Sequence, residues 1–327
     1  MRCLLIVLLL ACLCATAQQN LVPNGDFEEN TGCPSGINTF SFLKYWLPCG
    51  SPDYYHTCNN TGFGVPNNMH GYQDAQSGNA YIGLGIYKDV VQEMREYAKI
   101  KINAKVVDTC FYYLKLFFSI AETPKFLSKE VGVCLTDEDV SCTIQDHNII
   151  NLLPQLINED VYFTDTNTVK WYELSMIVKL SNNVKWLYIG NFKTNSNTYH
   201  ILNPNNNILD YAYLYIDNVQ LYNLCTDSNV INWQQVKLQI PSGITVNSDG
   251  LNDKLKLMNR SFFNSLKLNL YDRWGHLLYS TNDINFEWDG SYQGERVPIG
   301  VYQWQAEYTT IYDSRLQHAT GNVTVLY

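Results

Sequence analysis

The sequence predicts an all-β chain of two domains. Three observations carry that expectation. Composition is the first: 24 Tyr and 7 Trp stand against only 16% charged residues in 327, and flat or branched side chains suit a half-buried pleated surface. Alternation is the second, because Ala98, Ile100 and Ile102 interleave with Lys99 and Lys101 as in a half-exposed strand. The third is punctuation. Short Leu, Val, Tyr and Trp runs near the end are joined by Asp289-Gly290, Gln293-Gly294 and Pro298-Ile299-Gly300, and glycine supplies the positive φ that tight hairpin turns demand. A chain of this length has room for two domains, each with its own core.

The amino terminus sets the compartment. Met1-Arg2, the apolar run 4–13 and Ala15-Thr16-Ala17 form the three parts of a secretory signal peptide, so residues 1–17 are expected to be removed and the mature chain to start at Gln18. Leu10-Ala11-Cys12 resembles a lipoprotein box, a lesser alternative because Cys12 lies inside the apolar run. No later apolar run is long enough to span a bilayer. A formal charge of −9 gives no sign of nucleic-acid binding, which needs concentrated positive charge on one face.

Beyond the leader, the cysteines are Cys33, Cys49, Cys58, Cys110, Cys134, Cys142 and Cys225. Export places them where disulfides persist. Cys134 and Cys142 bracket a short acidic loop and are the expected pair, with one further bridge among Cys33, Cys49 and Cys58. The odd number leaves at least one thiol free or paired outside the chain. No Cys-x-x-Cys spacing points to zinc.

In chain order, residues 21–28 read as a strand carrying a turn, and a loop-rich, aromatic segment follows to Gly83. Strands are expected over 98–102, 110–120, 131–135, 171–178, 186–192 and 211–222, and the insert 143–165 holds one short helix around 149–157, interrupted by Pro154. Residues 18–224 are read as the first domain, 225–233 as a linker and 234–327 as the second domain.

The second domain carries ordered motifs: Asp249-Gly250-Leu251-Asn252-Asp253, Tyr271-Asp272-Arg273-Trp274-Gly275, Trp288-Asp289-Gly290, Val297-Pro298-Ile299-Gly300-Val301-Tyr302 and Gly321-Asn322-Val323-Thr324-Val325. Together they resemble the gliding-motility-associated C-terminal domain, the type B sorting domain of the type IX secretion system in Bacteroidota. The resemblance implies a small carboxy-terminal immunoglobulin-like β-sandwich that serves as an address and not an activity: the partner is the export machinery, and the destination is the medium or the outer-membrane surface.

Asn24-Gly25-Asp26-Phe27-Glu28, the 186–192 strand and Tyr215-Ile216-Asp217-Asn218-Val219 resemble the galactose-binding-like jelly rolls of carbohydrate-binding modules. That resemblance implies an amino-terminal jelly-roll β-sandwich with a structural calcium held by Glu28 and Asp217, backbone carbonyls completing the oxygen shell. The plainer reading is a solvated Glu28 and an Asp217 that caps a turn.

Sugar faces stack on exposed rings while amides fix hydroxyls, so Trp46, Tyr54, Tyr55, Tyr72 and Tyr81 with Gln73 are the candidate glycan contacts. The competing reading is that these rings plug a loop-rich surface. Trp171, Trp186 and Tyr188 lie in expected strands and read as core. Catalytic signatures such as Gly-x-Ser-x-Gly and His-Glu-x-x-His are absent. Asp53 with Glu93 or Glu96 could form a carboxylate pair, which only their separation in space decides. Arg95-Glu96 reads as a strand-edge ion pair, and Gly83-Leu84-Gly85 lacks the third glycine of a nucleotide loop. The expected function is non-catalytic binding of a carbohydrate or matrix ligand; the alternatives are an adhesion component that binds a partner protein and a hydrolase acting on polysaccharide or ester.

Overall fold

The computed structural model describes residues 19–89, 93–103, 105–158, 168–205, 209–247 and 252–327. The signal-peptide residues and Asp249-Gly250-Leu251 lie outside them. The front unit is a sandwich of two antiparallel five-stranded sheets. One runs Trp46–Cys49, Tyr97–Lys101, Trp186–Gly190, Gly132–Thr136, Leu156–Ile157; the other runs Tyr172–Lys179, Phe111–Ile120, Tyr211–Asn223, Ala80–Lys88, Asp53–His56. Between them lies one apolar core that includes Ile82, Leu84, Leu114, Leu187, Leu214 and Ile216. Period-two alternation puts these side chains inward and their sequence neighbours outward.

The 20–28 stretch is a series of turns and not a strand. Asn24 and Phe27 both adopt positive φ, and Leu21 N donates to Leu221 O at 2.8 Å, docking the turns on the last front strand. A Cβ at Gly25 would collide with the Val219 carbonyl, so only glycine fits there. No α-helix occurs among the described residues. Where one was expected, Leu156–Ile157 pairs with Val133 and Gly132. Pro154 offers no amide donor to a helix, and the Gln155 side chain instead clamps Leu135, accepting from its N–H at 2.6 Å and donating to its carbonyl at 3.1 Å.

The disulfide expectation needs correction. Cys142 bonds Cys49, not Cys134, and Cys134 keeps a buried free thiol. Gly50 N donates to Thr143 O at 2.9 Å, which draws the Cys142 loop across to the Trp46–Cys49 strand. Burial pushes the Cys134 thiol up to about 11. Cys33 bonds Cys58, the bridge expected within the first three cysteines, and Cys110 bonds Cys225.

The tail unit is built on the sheet Gly243–Thr245, Gln317–Leu326, Gly300–Thr310, Phe263–Tyr271, Leu277–Thr281, antiparallel except for its first pair. The residues read as a linker are packed: Val230, Ile231 and Trp233 join the tail's apolar cluster, and Trp233 stacks on Tyr312 at 5.1 Å. The two units touch where Ile177 N donates to Ser261 Oγ at 3.1 Å and the rings of Tyr113 and Phe262 meet edge to face.

Candidate functional site

The front sheet that carries Asp53–His56, Ala80–Lys88 and Tyr211–Asn223 buries its second face too. Register sets which residues meet there: Asp53 pairs with Gly83, and Tyr213 with Gly85. Alternation therefore brings Asp53, Tyr55, Tyr81, Gly83, Gly85, Tyr211, Tyr213 and Tyr215 to one surface. The two glycines leave room for what lies above. A Cβ at Gly83 would collide with the Tyr213 side chain, and one at Gly85 would press on Glu96 Oε2 at 3.1 Å. The Asn67–Asn68 and Gly71–Tyr72 hairpin folds over this face and places His70 on it.

A connected polar network results. Tyr213 donates its hydroxyl to Asp53 Oδ2 at 2.5 Å, and the Tyr55 and Tyr213 hydroxyls are 3.0 Å apart. His70 Nδ1 lies 2.8 Å from the Tyr55 hydroxyl and Nε2 lies 2.9 Å from that of Tyr211. Its ring stacks on Tyr213 at 3.9 Å. Glu96 enters from the other sheet: Ser51 Oγ donates to Oε1 and Gly85 N to Oε2, each at 2.6 Å.

Asp53, His70, Glu96, Tyr211 and Tyr213 line a cavity of about 300 Å³, with Ile37, Met69, Tyr87 and Met94 as apolar walls and Lys88, Arg95 and His147 elsewhere around it. Its electrostatics follow from covering charges with protein. Burial, then the charge of Glu96, pushes Asp53 up to about 7 against the lowering effect of the tyrosine hydrogen bonds. Burial also raises Glu96 and lowers His70 to about 4, so the imidazole is neutral at physiological pH. The arrangement can accept hydrogen bonds from a ligand and pack a ring against tyrosine.

The expected residues divide sharply. Trp46 is core, 5.1 Å from Phe27, with its indole N–H donated to Asn24 O. Tyr54 is core and donates to Phe27 O at 3.1 Å. Tyr55 belongs to the polar network, while Tyr81 is buried beside it and donates to Gln73 O at 3.0 Å. Gln73 is buried and accepts from Ser119 Oγ. Tyr72 is the most open of the named rings, at 43% exposure. Of the strand aromatics read as core, Tyr188 is fully buried and Trp171 and Trp186 are half-buried.

Asp53 and Glu96 do share a site, whereas the expected Arg95–Glu96 ion pair does not form. Neighbours on an extended chain point apart, and the Arg95 guanidinium donates to Met94 O, Lys193 O and Thr198 Oγ. His70, Tyr211 and Tyr213 went unnoticed. For the two tyrosines the available signal was the repeat Tyr211-Ala212-Tyr213-Leu214-Tyr215, which places three tyrosines on one face.

Glu28 and Asp217 both grip the 76–80 loop. Glu28 Oε1 accepts from Asn79 N and Ala80 N; Asp217 Oδ2 accepts from Gln76 N and Ser77 N. Burial is the main cause that pushes Asp217 up to about 8, with the Glu28 charge adding to it. Ser77 Oγ, beside them, is buried with no partner. No group of three or more acidic, histidine or cysteine side chains converges for a metal among the described residues.

Comparison with known proteins bears on the tail. Residues 238–325 match the family described as the CHU_C Type IX secretion signal domain. No curated protein matches the chain. Among solved structures, the K2 cleaved adhesin domain of Lys-gingipain aligns at 12% identity and a TM-score of 0.31, over 63% of this chain and 97% of that one. The K3 cleaved adhesin domain of Lys-gingipain from Porphyromonas gingivalis W83 aligns at 12% identity and 0.29, over 61% and 97%. The tail unit is thus similar to a type IX secretion signal, which implies export to the cell surface or the medium.

Proposed function

We propose that this chain is a non-catalytic binding protein, exported by the type IX machinery, whose front sandwich takes a carbohydrate or matrix ligand in its outer-face cavity. Delivery rests on the match of residues 238–325. Binding rests on the cavity, where two carboxylates, tyrosine hydroxyls and apolar walls converge on a space the size of a small ligand. Retention of the full mature chain on a glycan array, lost in Asp53→Asn, is the expected result. Co-purification with an envelope protein but no saccharide retention would instead favour an adhesion component.

Binding is preferred to hydrolysis because the sequence carries neither Gly-x-Ser-x-Gly nor His-Glu-x-x-His. Turnover of a polymer panel, abolished by Glu96→Gln, would reverse that preference. Deleting residues 238–327 should leave the protein inside the cell.

A structural calcium at Glu28 and Asp217 belongs to the same proposal. The unpartnered Ser77 Oγ and the mutual repulsion of the two acids suit a cation there. It would tie the 76–80 loop to both ends of the front unit. A calcium-dependent rise in Tm, absent in Asp217→Asn, is the expected signature, and an unchanged Tm with chelator would dismiss the ion.

A further inference from the structure

We infer that the ligand of the outer-face cavity is an unacetylated amino sugar, a hydroxylated ring that bears a protonated amine. The inference rests on the reading of the cavity as a saccharide site and names the chemistry it selects.

Charge is the first argument. Asp53 and Glu96 face one cavity, yet every partner holding them is neutral: the Tyr213 and Tyr55 hydroxyls, the Ser51 hydroxyl and the Gly85 amide. No lysine, arginine or histidine nitrogen among the described residues lies within ion-pair distance of either acid. Arg95 spends its guanidinium on carbonyls and Thr198, and His70 is committed to two tyrosine hydroxyls. Covered carboxylates without a counter-charge are unfavourable, and an ammonium group is the ligand chemistry that compensates them while donating charge-assisted hydrogen bonds.

Shape and leftover polar atoms supply the second argument. The cavity of about 300 Å³ is at the small end of ligand sites and suits one sugar ring. Tyrosine rings in its wall can face either a sugar or a cation. His147 Nδ1 and Arg95 Nε are buried around it with no protein partner. Buried polar atoms ordinarily find one, and a ligand hydroxyl or ring oxygen next to them would provide it.

The test is titration calorimetry of the full mature chain at neutral pH with glucosamine, N-acetylglucosamine, glucose and cyclohexylamine. Glucosamine should bind at least ~10-fold more tightly than the other two sugars, and Asp53→Asn or Glu96→Gln should weaken it by roughly 10-fold or more. Acetylation changes the ligand and leaves the protein untouched, so this comparison stands even if a variant fails to fold. Equal affinity for glucosamine and glucose would overturn the amine inference and keep the saccharide site. Cyclohexylamine bound with no sugar bound would keep the ammonium site and overturn the sugar. Failure of all four to bind would remove both readings.

Discussion

The tail sheet and the front sheet obey the same alternation but put it to different use. In the tail strand Gly300–Thr310, Tyr302, Trp304, Ala306 and Tyr308 point into the core, while Val301, Gln303 and Gln305 face solvent. Its ion pairs, Lys254 with Glu287 and Lys267 with Glu307, are about half exposed, a setting in which such pairs contribute little. The front sheet also has an inward apolar face. Its other face, however, is roofed by a hairpin and by Glu96, and the polar side chains under that roof include Asp53, His70, Tyr211 and Tyr213. A strand face that is covered yet polar is where this molecule departs from simple packing, and such departures mark functional sites.

The most severe way to break the comparison is to attack the tail core. Leu268→Ala, at a fully buried position, should destabilise the tail by roughly 2–5 kcal/mol. Calorimetry of the variant should show an earlier tail transition, secretion should fall, and ligand binding by the surviving front unit should persist. Loss of binding in step with the tail would show that the two units are not independent.

A pH titration sharpens the contrast from the other side. The folded-state pKa of Asp53, about 7, lies above its ordinary value of 3.8. Between those limits the folded protein holds a proton that the unfolded chain has released, so stability falls as pH rises across that window. The slope from this group is at most roughly 1.4 kcal/mol per pH unit. His70 acts in the opposite sense: its folded pKa of about 4 lies below 6.5, so it removes stability as pH falls between those values. Chemical denaturation of wild type against Asp53→Asn cancels the histidine, and the stability of wild type relative to the variant should fall steadily from about pH 4 to about pH 7. A flat difference would mean that Asp53 is ionised in the folded state.

The smallest effect belongs to the tail surface. Trp274 is 73% exposed in a turn, so Trp274→Ala should shift stability by no more than about 0.5 kcal/mol. Equilibrium unfolding that moved further would show that the ring packs against something in solution.

Fold class, the strands and the tail motifs were legible because alternation and turn glycines are local signals. The site was legible only in fragments. Asp53 and Glu96 were visible as a possible pair, but their meeting depends on Glu96 arriving from the opposite sheet. Tyr54 and Tyr55 look alike in sequence; the pairing of Asp53 with Gly83 sends one into the core and the other into the network. Trp46 reads as a platform until Phe27 and Asn24 close over it. Cysteine pairing was misread for a similar reason. Proximity in sequence favoured Cys134 for Cys142, while a single backbone bond between Gly50 and Thr143 brings Cys49 there across 93 residues.

The bridge between Cys110 and Cys225 sits where the front sandwich hands over to the tail. Its two ends cap the adjoining strands Phe111–Ile120 and Tyr211–Asn223 where the start of one lies beside the finish of the other. A tug on the tail in transit would therefore load both strands from one side, and they would move as a unit. The resisting shear then falls on their outer neighbours, Tyr172–Lys179 and Ala80–Lys88. Single-molecule stretching should give a higher rupture force for the oxidised chain than for Cys225→Ser, making the bridge a tow point as well as a staple.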